Sequence, residues 1–509
     1  MLGFIDLNAN TRSSYGIWSE PVGYLSAFGR ITYDYLSKYM FTANFRRDGA
    51  TKFGKDKKFG NFPSISVGWN IANENFMKGT EEIVNDIKLR VGYGYVGNSS
   101  ISDNQYVSTL ATTAYSFNNK STPGYYPASI ANPDLHWEAS KQINLGFDVS
   151  LFDHVLLFTA DYYAKNTKDM LVEIPLAGYL GIDQNYTVNE GEMKNTGYEF
   201  DLTIHNSFRE FSYEFNSFIS FLKNEVTNIA KGERYLDYDY TRTQVGFPVG
   251  AFYGWKTDGI FQTQKEIDEL NKREQKYDSE GDPLYDAQGN PIYVYTYYQD
   301  KETGPGDIRF KDIASINEEG EIVSIPDGIV DEADRTIIGD PIPDLTFGIA
   351  TSLYYKNFNL DIICDGIYGN ELINVPRINS ESMTLSSNFS KFVYDNYWKG
   401  PGSGNEVPRP IESDPNDNAR ISDRWIEDGS YFRITNIQFG YQLPYRIINR
   451  LKIYRFKIYI SVKNLYTFSN YSGYDPDIGA YQRNALQAGI DYGSYPKAKS
   501  VFLGFNIDF

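Results

Sequence analysis

Val501-Phe502-Leu503-Gly504-Phe505-Asn506-Ile507-Asp508-Phe509 closes the chain and decides how the rest is read. Every odd position is apolar, and between them stand Phe502, Gly504, Asn506 and Asp508. A period of two is the strand signal, with one face apolar and the other small or polar. The pattern recurs upstream. Ile87, Leu89, Val91, Tyr93 and Tyr95 alternate with Lys88, Arg90, Gly92 and Gly94. Tyr198, Phe200, Leu202 and Ile204 alternate with Glu199, Asp201, Thr203 and His205. Phe456, Ile458, Ile460 and Val462 alternate with Lys457, Tyr459 and Ser461, and Tyr39, Phe41, Ala43 and Phe45 with Met40, Thr42, Asn44 and Arg46.

Thirteen such stretches are predicted, near 23–35, 39–47, 61–71, 87–97, 143–152, 155–168, 195–206, 211–224, 344–356, 358–370, 431–444, 453–466 and 498–509. A fourteenth is expected in part before residue 12. Tilted strands of about 9–14 residues cross about 25 Å of hydrocarbon. Connections alternate in length. Leu36-Ser37-Lys38, Asp153-His154, 207–210 and Asn357 are short, whereas 98–142, 169–194, 225–343, 371–430 and 467–497 are long, with 72–86 between. Short turns on one side and long loops on the other fit a transmembrane barrel with periplasmic turns and extracellular loops. The chain is therefore expected to be all-β, a transmembrane antiparallel β-barrel portion over 1–509. Residues 225–343 form its longest extracellular loop region, with an insertion at 265–300. In that insertion Lys265–Gln275 reads as a surface helix and 276–300 as a β-hairpin. No fixed-period internal repeat is read, which weighs against a propeller or solenoid.

Composition narrows the function. The 509 residues carry 48 Lys+Arg against 66 Asp+Glu, a formal charge of −18. A nucleic-acid binder needs a basic face, so that class is excluded. No run of about 18 apolar residues exists to make a spanning helix. One cysteine, Cys364, excludes an internal disulfide, and three histidines leave little for a His-rich metal site. No HExxH, Walker A or GxSxG elbow with partners is found, and carboxylate spacing alone nominates no glycosidase pair. The chain is read as a non-enzyme without catalytic residues. Met1–Asp6 shows no signal-peptide pattern, which reads as a cytoplasmic protein or a start inside a longer one. The strands favour the second.

Several separated motifs resemble the SusC-like (SusC/RagA-type) TonB-dependent outer-membrane transporters. They are Asn44–Gly54 (NFRRDGATKFG), Asn61–Trp69 (NFPSISVGW), Leu89–Asn98 (LRVGYGYVGN), Pro248–Gly254 (PVGAFYG), Asp258–Phe261 (DGIF) and Gly306–Asp312 (GDIRFKD). Lys463-Asn464-Leu465, Gly473-Tyr474-Asp475-Pro476 and the terminal aromatic complete the set, in family order. The resemblance implies a barrel of about 22 strands with an N-terminal plug. It implies an outer-membrane importer of glycans or peptides in a Gram-negative bacterium, energised by the TonB complex and working with a SusD-like surface lipoprotein. Signal peptide, TonB box, plug and about nine strands are expected to lie outside this chain, which reads as the C-terminal part of the barrel, inactive alone. TonB contact is then expected only through that N-terminal region. The alternatives are a soluble or secreted all-β carbohydrate-binding protein and a passive porin-like channel.

Three constellations are expected to matter. Asp327-Gly328-Ile329-Val330-Asp331-Glu332-Ala333-Asp334 looks like the second half of an EF-hand loop, with Lys311-Asp312 supplying the opening. Calcium ligands would then be Asp312, Asp327, Ile329, Asp331 and Asp334. The competing reading is an acidic turn, and no cofactor is required. Strand aromatics are assigned to lipid-interface girdles. Loop aromatics Tyr125, Tyr126, Tyr179, Trp255 and Tyr297 are weighed as substrate contacts against packing among the loops. The last strand, through Val501, Leu503, Phe505, Ile507 and Phe509, resembles the strand read by the barrel-assembly machinery. Lys88, Arg90, Glu199, Asp201, Lys457 and Lys463 are placed on the lumen side, a wet interior of mixed sign. His205 falls on that same face, with His154 in a turn and His136 in a loop.

Overall fold

The computed structural model describes residues 4–7, 14–17 and 22–509, except 102, 104, 109, 118, 175, 177, 183–185, 230–233, 279, 281, 287, 289, 318–320, 384–387, 452 and 481–483. Thirteen long strands hydrogen-bond in sequence order in one sheet. They are β1 (Tyr24–Tyr35), β2 (Tyr39–Ala50), β3 (Phe59–Asn70), β4 (Val84–Asn98), β5 (Glu138–Leu151), β6 (Leu156–Ile174) and β7 (Tyr186–Phe208). β8 (Phe211–Asn228), β9 (Leu345–Tyr355), β10 (Phe358–Tyr368), β11 (Tyr431–Gln442), β12 (Arg455–Ser469) and β13 (Ser500–Asp508) follow. All thirteen expected strands are present. The partial fourteenth is instead a separate hairpin, Phe4–Leu7 with Ser14–Ile17. At about 3.3 Å per residue, the 23 residues of β7 reach well beyond a hydrocarbon layer.

The chain divides into two compact units. The first contains residues 1–236, 244–247 and 348–361. Its register shows why the alternation matters. Tyr33, Phe41, Val67, Val91, Leu145, Tyr162, Tyr198 and Phe221 lie side by side across eight strands. The next row, on the opposite face, reads Asp34, Met40, Gly68, Arg90, Gly146, Asp161, Glu199 and Ser220. A soluble protein would bury the apolar row, yet Val67, Val91, Tyr198 and Phe221 are all exposed. So broad an apolar face seeks a membrane.

Short turns are tight. Lys38 N–H donates to the Tyr35 carbonyl at 3.0 Å. Leu36 and Ser37 both have φ of 53°, the sign a type I′ hairpin turn requires. Arg209 and Lys356 take left-handed φ in the turns after β7 and β9. Glu74 sits in the connection after β3. It accepts from Tyr39 Oη at 2.6 Å, Trp69 Nε1 at 3.2 Å and Lys38 Nζ at 3.0 Å. The Tyr39 hydrogen bond first, then Lys38, hold its carboxyl down at about 2. This is an amphipathic ring cluster of the kind that suits a headgroup region. On the long-loop side of this unit, Phe53, Ala50, Ile101 and Leu135 form a small core with Trp137 and Leu171 against it. A side chain at Gly54 would press within 2.8 Å of the Pro133 carbonyl oxygen, which explains the glycine in that motif.

The second unit contains residues 237–243, 248–347 and 362–509. Here Phe439, Ile460 and Leu503 align across β11, β12 and β13. Most of the unit is loop with its own cores. Trp255, Ile260, Ile308, Phe310 and Val330 make one, and Phe252, Ile373, Val375 and Ile490 another. The expected helix stops early, as α1 (Gln264–Leu270), because Lys272–Gln275 pairs with Tyr293–Thr296. Thr263 caps its start by accepting from Glu266 N–H.

Between those paired segments the chain repeats an octapeptide, Tyr277–Leu284 (YDSEGDPL) and Tyr285–Ile292 (YDAQGNPI). This corrects the expectation that the chain holds no fixed-period internal repeat. Each copy folds back, Tyr277 bridging Pro283 and Tyr285 bridging Pro291. Leu284 N–H donates to Lys276, Ile292 N–H to Leu284 and Lys276 N–H to Ile292, which closes a ring of three arms rather than one hairpin.

Candidate functional site

Two surfaces carry chemistry. The first is the polar sheet face of the first unit. Arg90 donates to Asp148 through Nε at 2.7 Å and Nη2 at 2.8 Å, and to Asp161 at 3.0 Å. Gly146 makes room for this. A Cβ there would lie 2.5 Å from both Arg90 Cζ and Asp161 Oδ1. Glu199 pairs with Asp161 across the strands and Asp201 with Thr159. Four carboxylates thus stand near one guanidinium and Lys88. The expected polar-face positions Lys88, Arg90, Glu199, Asp201 and His205 share this register, His205 opposite Glu214. In the second unit Lys457 and Lys463 share the polar register of β12.

The second surface is built by the loops of the second unit. Asp307 is fully buried and pairs with Arg409 by two bonds of 2.8 Å. Its carboxylate also accepts from Gly304 N–H at 2.8 Å and Asn418 Nδ2 at 3.1 Å. Asn418 in turn accepts from Ile308 N–H, and Asn416 donates to the Ile308 carbonyl. Gly306 (φ 96°) brings its backbone beneath Trp398, where a Cβ would sit 2.5 Å from the ring. The Gly306–Asp312 motif is therefore a loop-locking device. Pro248–Gly254 works likewise: Ala251–Gly254 is buried, and Gly254 lies against the Ile421 carbonyl. Asn464 takes a left-handed φ of 50° and donates to the Ala498 carbonyl at 3.0 Å. Arg433 anchors Asp475 of the Gly473–Pro476 motif at 2.5 Å and Asp477 at 3.0 Å.

The same unit holds a cleft of about 520 Å³ lined by Asn374, Arg377, Glu381, Ser472, Tyr474 and Asp491, among others, within the size range of small-molecule pockets. Asn374 caps α2 (Val375–Glu381), accepting from Arg377 N–H at 3.0 Å. Arg377 donates to Glu381 at 3.0 Å and Glu427 at 3.2 Å. Behind Glu381 lies Arg424, stacked 4.2 Å from the Trp425 ring. Its two terminal nitrogens have no hydrogen-bond partner among the described residues, and burial pulls its guanidinium down to about 10. Tyr471 donates to Asp491 at 2.7 Å, and burial, with that bond, pushes the phenol far up. The arrangement offers hydrogen bonds and an exposed aromatic ring, Tyr474, and no activated nucleophile.

The expected calcium ligands do not come together. Asp312 does fold back, accepting from Gly328 N–H at 2.6 Å and Asp327 N–H at 3.3 Å. Asp331 caps a short turn by accepting from Ala333 N–H. Asp334 is fully buried and accepts from Ile313, Ala314 and Asp331 N–H at 2.6, 3.0 and 2.8 Å. Burial raises its carboxyl above the ordinary value against those three donors. Among the described residues no group of three or more ligand side chains converges. The carboxylates are spent on backbone amides, so this arrangement does not fit the ion.

Of the loop aromatics, Tyr125 and Tyr126 stand exposed on a hairpin, Leu110–Phe117 with Lys120–Pro127, and Tyr179 is 90% exposed. Trp255 differs. It is a core residue whose Nε1 donates to the Asp331 carbonyl at 2.9 Å, with Arg335 and Arg420 over its ring. Its reading as a substrate contact gives way to packing. Tyr297 stacks on Tyr295 at 6.1 Å. Val501, Leu503, Phe505 and Ile507 pair with Val462, Ile460, Ile458 and Phe456 at one margin of the sheet, and Phe509 follows, exposed.

A single antiparallel sheet with an exposed apolar face, a charged face and elaborate loops defines an outer-membrane β-barrel protein of the Gram-negative type. The chain belongs to the TonB-dependent receptor-like β-barrel family, whose model matches residues 4–465. TonB-dependent receptor P3 of Formosa agariphila is 32% identical over 96% of this chain and 46% of its own length. TonB-dependent receptor SusC of Bacteroides thetaiotaomicron is 26% identical over 99% of this chain and 45% of its own. The RagAB peptide transporter has the same fold, with a TM-score of 0.74 at 22% identity, over 96% of this chain and 48% of that one. The chain thus spans about half the length of the curated relatives it matches. These relatives are receptors and transporters rather than enzymes.

Proposed function

We propose that this chain is the barrel portion of a TonB-dependent importer of glycans or peptides that works with a SusD-like surface lipoprotein. The observation that carries it is the pairing of a lipid-ready apolar face with a charged face and a loop-built cleft in one chain. Strands beyond β1 and β13 complete the sheet, since open edges in hydrocarbon are untenable. Short turns then face the periplasm and the loops the exterior. Energy comes from TonB through a plug outside this chain, and the last strand serves the barrel-assembly machinery.

The test is affinity purification of the tagged protein from native outer membranes. The expected result is stoichiometric co-purification of a surface lipoprotein, with uptake of labelled oligosaccharide or peptide lost on gene deletion. A protein recovered alone, with uptake of both unchanged by deletion, would overturn the proposal.

A further inference from the structure

The most basic stretch of this acidic chain includes a membrane-boundary connection. From Gly429 to Tyr474 there is no Asp or Glu, while Arg433, Arg446, Arg450, Lys452, Arg455, Lys457 and Lys463 all fall inside, in a chain of net charge −18. Some of these cations are already engaged. Arg433 holds Asp475 and Asp477. Arg455 and Lys457 lie on the polar sheet face, opposite Asp508 and Asn506. Arg446 and Arg450 lie on a helix of about two turns, Tyr445–Leu451, in the connection from β11 to β12. Both are exposed, and among the described residues neither forms an ion pair. At two other short connections cations are paired, Lys38 with Glu74 at 3.0 Å and Lys356 with Glu210 at 3.2 Å, whereas Arg209 in the turn after β7 stands alone, without a neighbouring guanidinium or helix.

Apolar groups of the same connection also point away from the protein. Tyr445 is 74% and Tyr454 81% exposed, and Ile447 is exposed beside Arg446, while Ile448 buries the helix on its own unit. Tyr454 extends the apolar face of β12. Its N–H donates to the Asp508 carbonyl at 2.8 Å, and it stands two residues before Phe456 on that face. The exposed apolar groups are thus continuous with the lipid-facing surface, and two unpaired guanidiniums stand among them.

We propose that this connection is a docking site for anionic phospholipid headgroups of the adjacent leaflet, with Arg446 and Arg450 on lipid phosphates and Tyr445, Ile447 and Tyr454 in the headgroup–acyl boundary. The inference rests on the reading that the sheet spans the membrane. Guanidinium forks match phosphate oxygens, and amphipathic rings suit this depth. Each cation held near an anionic surface gives roughly a fivefold preference, so two give about 25-fold.

The test uses the protein purified from its membrane and placed in nanodiscs of phosphatidylcholine alone or mixed with phosphatidylglycerol. Amide exchange is read at 443–454 and, separately, in β11 and β12. The expected result is exchange at 443–454 slowed about tenfold or more by phosphatidylglycerol, with the effect abolished in R446Q/R450Q and kept in R446K/R450K. Equal exchange in both discs, with β11 and β12 protected, overturns this inference and leaves the spanning reading intact. Unprotected β11 and β12 overturn both. Protection reproduced by inorganic phosphate in phosphatidylcholine discs assigns the site to soluble anions and overturns the lipid assignment.

Discussion

Asp307→Asn is the sharpest probe of the loop assembly. The substitution keeps size and shape and removes only charge and acceptor capacity. The native carboxylate accepts four bonds, two from Arg409 at 2.8 Å, one from Gly304 at 2.8 Å and one from Asn418 at 3.1 Å. All four partners are donors, so the amide NH₂ of asparagine must face at least one N–H with another. Losing one partner of a buried pair costs about 3–5 kcal/mol. Arg409 is 27% exposed and regains some hydration, so about 3 kcal/mol at the low end is expected. The loss is local, because the sheet makes none of these bonds. At about 1.4 kcal/mol per tenfold, opening of segments 299–310 and 407–420 rises roughly a hundredfold. Site-resolved amide exchange on the membrane-inserted protein reads this directly. Exchange in both segments within threefold of the parent would refute the claim that Asp307 locks the loops. Equal acceleration in β11 and β12 would refute its locality.

Arg433→Met should free the 470–499 loop, because Asp475 and Asp477 lose their buried partner at about 3–5 kcal/mol. Limited proteolysis should then cut near Tyr474, and an uncut loop would count against the anchor. Burial opposes ionisation of Asp477, but its bond from Lys497 and the charge of Arg433 outweigh it and hold the carboxyl below its usual range. That stability is present above the unfolded carboxylate pKa and is lost as pH falls through the depressed folded value. The same loop should therefore stay protected at pH 5 and open only in stronger acid, as exchange against pH will show. Calcium should leave thermal unfolding unchanged while Asp334→Ala lowers it by several degrees, since Asp334 satisfies three amides. A calcium-dependent rise reversed by chelator would restore the EF-hand reading. Deleting Phe509 should lower outer-membrane yield without lowering synthesis. Unchanged yield would remove the terminal residue from assembly.

What the sequence disclosed was set by how local the signal is. Alternation is written between neighbours, so all thirteen strands could be read, and the facing of Lys88, Arg90, Glu199 and Asp201 followed from parity alone. Strand ends ran longer than expected in β6, β7 and β8 because pairing continues past the apolar part. The loop locks were not legible, because Asp307 meets Arg409 and Asn418 across more than a hundred residues. Trp255 shows the same limit. Its neighbours in sequence mark it as a loop aromatic, but Ile308, Phe310 and Val330 arrive from elsewhere and bury it. The doubled Tyr-Asp…Gly-Asx-Pro octapeptide is legible in the sequence, because its period of eight is written between neighbours. Asp331 and Asp334 were read as ligands. Asp331 stands two residues before the Ala333 N–H it caps and Asp334 three residues after the Asp331 N–H it satisfies, and only the fold shows that both serve backbone amides.

Sheet and loops divide the physics of the chain. The sheet cannot lower its energy alone. β1 is exposed along all twelve residues, and about half of its backbone donors and acceptors point away from β2. In hydrocarbon each unpaired group costs several kcal/mol, so β1 and the nine-residue β13 together cost more than a domain's whole stability. On the proposed barrel reading the strands depend on neighbours that complete the sheet. The loops of the second unit do not. Their cores around Phe310 and Phe252 and the lock at Asp307 close among the loops themselves, while Arg433 ties the 470–499 loop to β11. Opening the sheet margins should thus disorder strands before loops, and weakening a loop lock should spare the strands. On the proposed function, that separation lets the loops respond to a ligand while the wall they stand on remains paired.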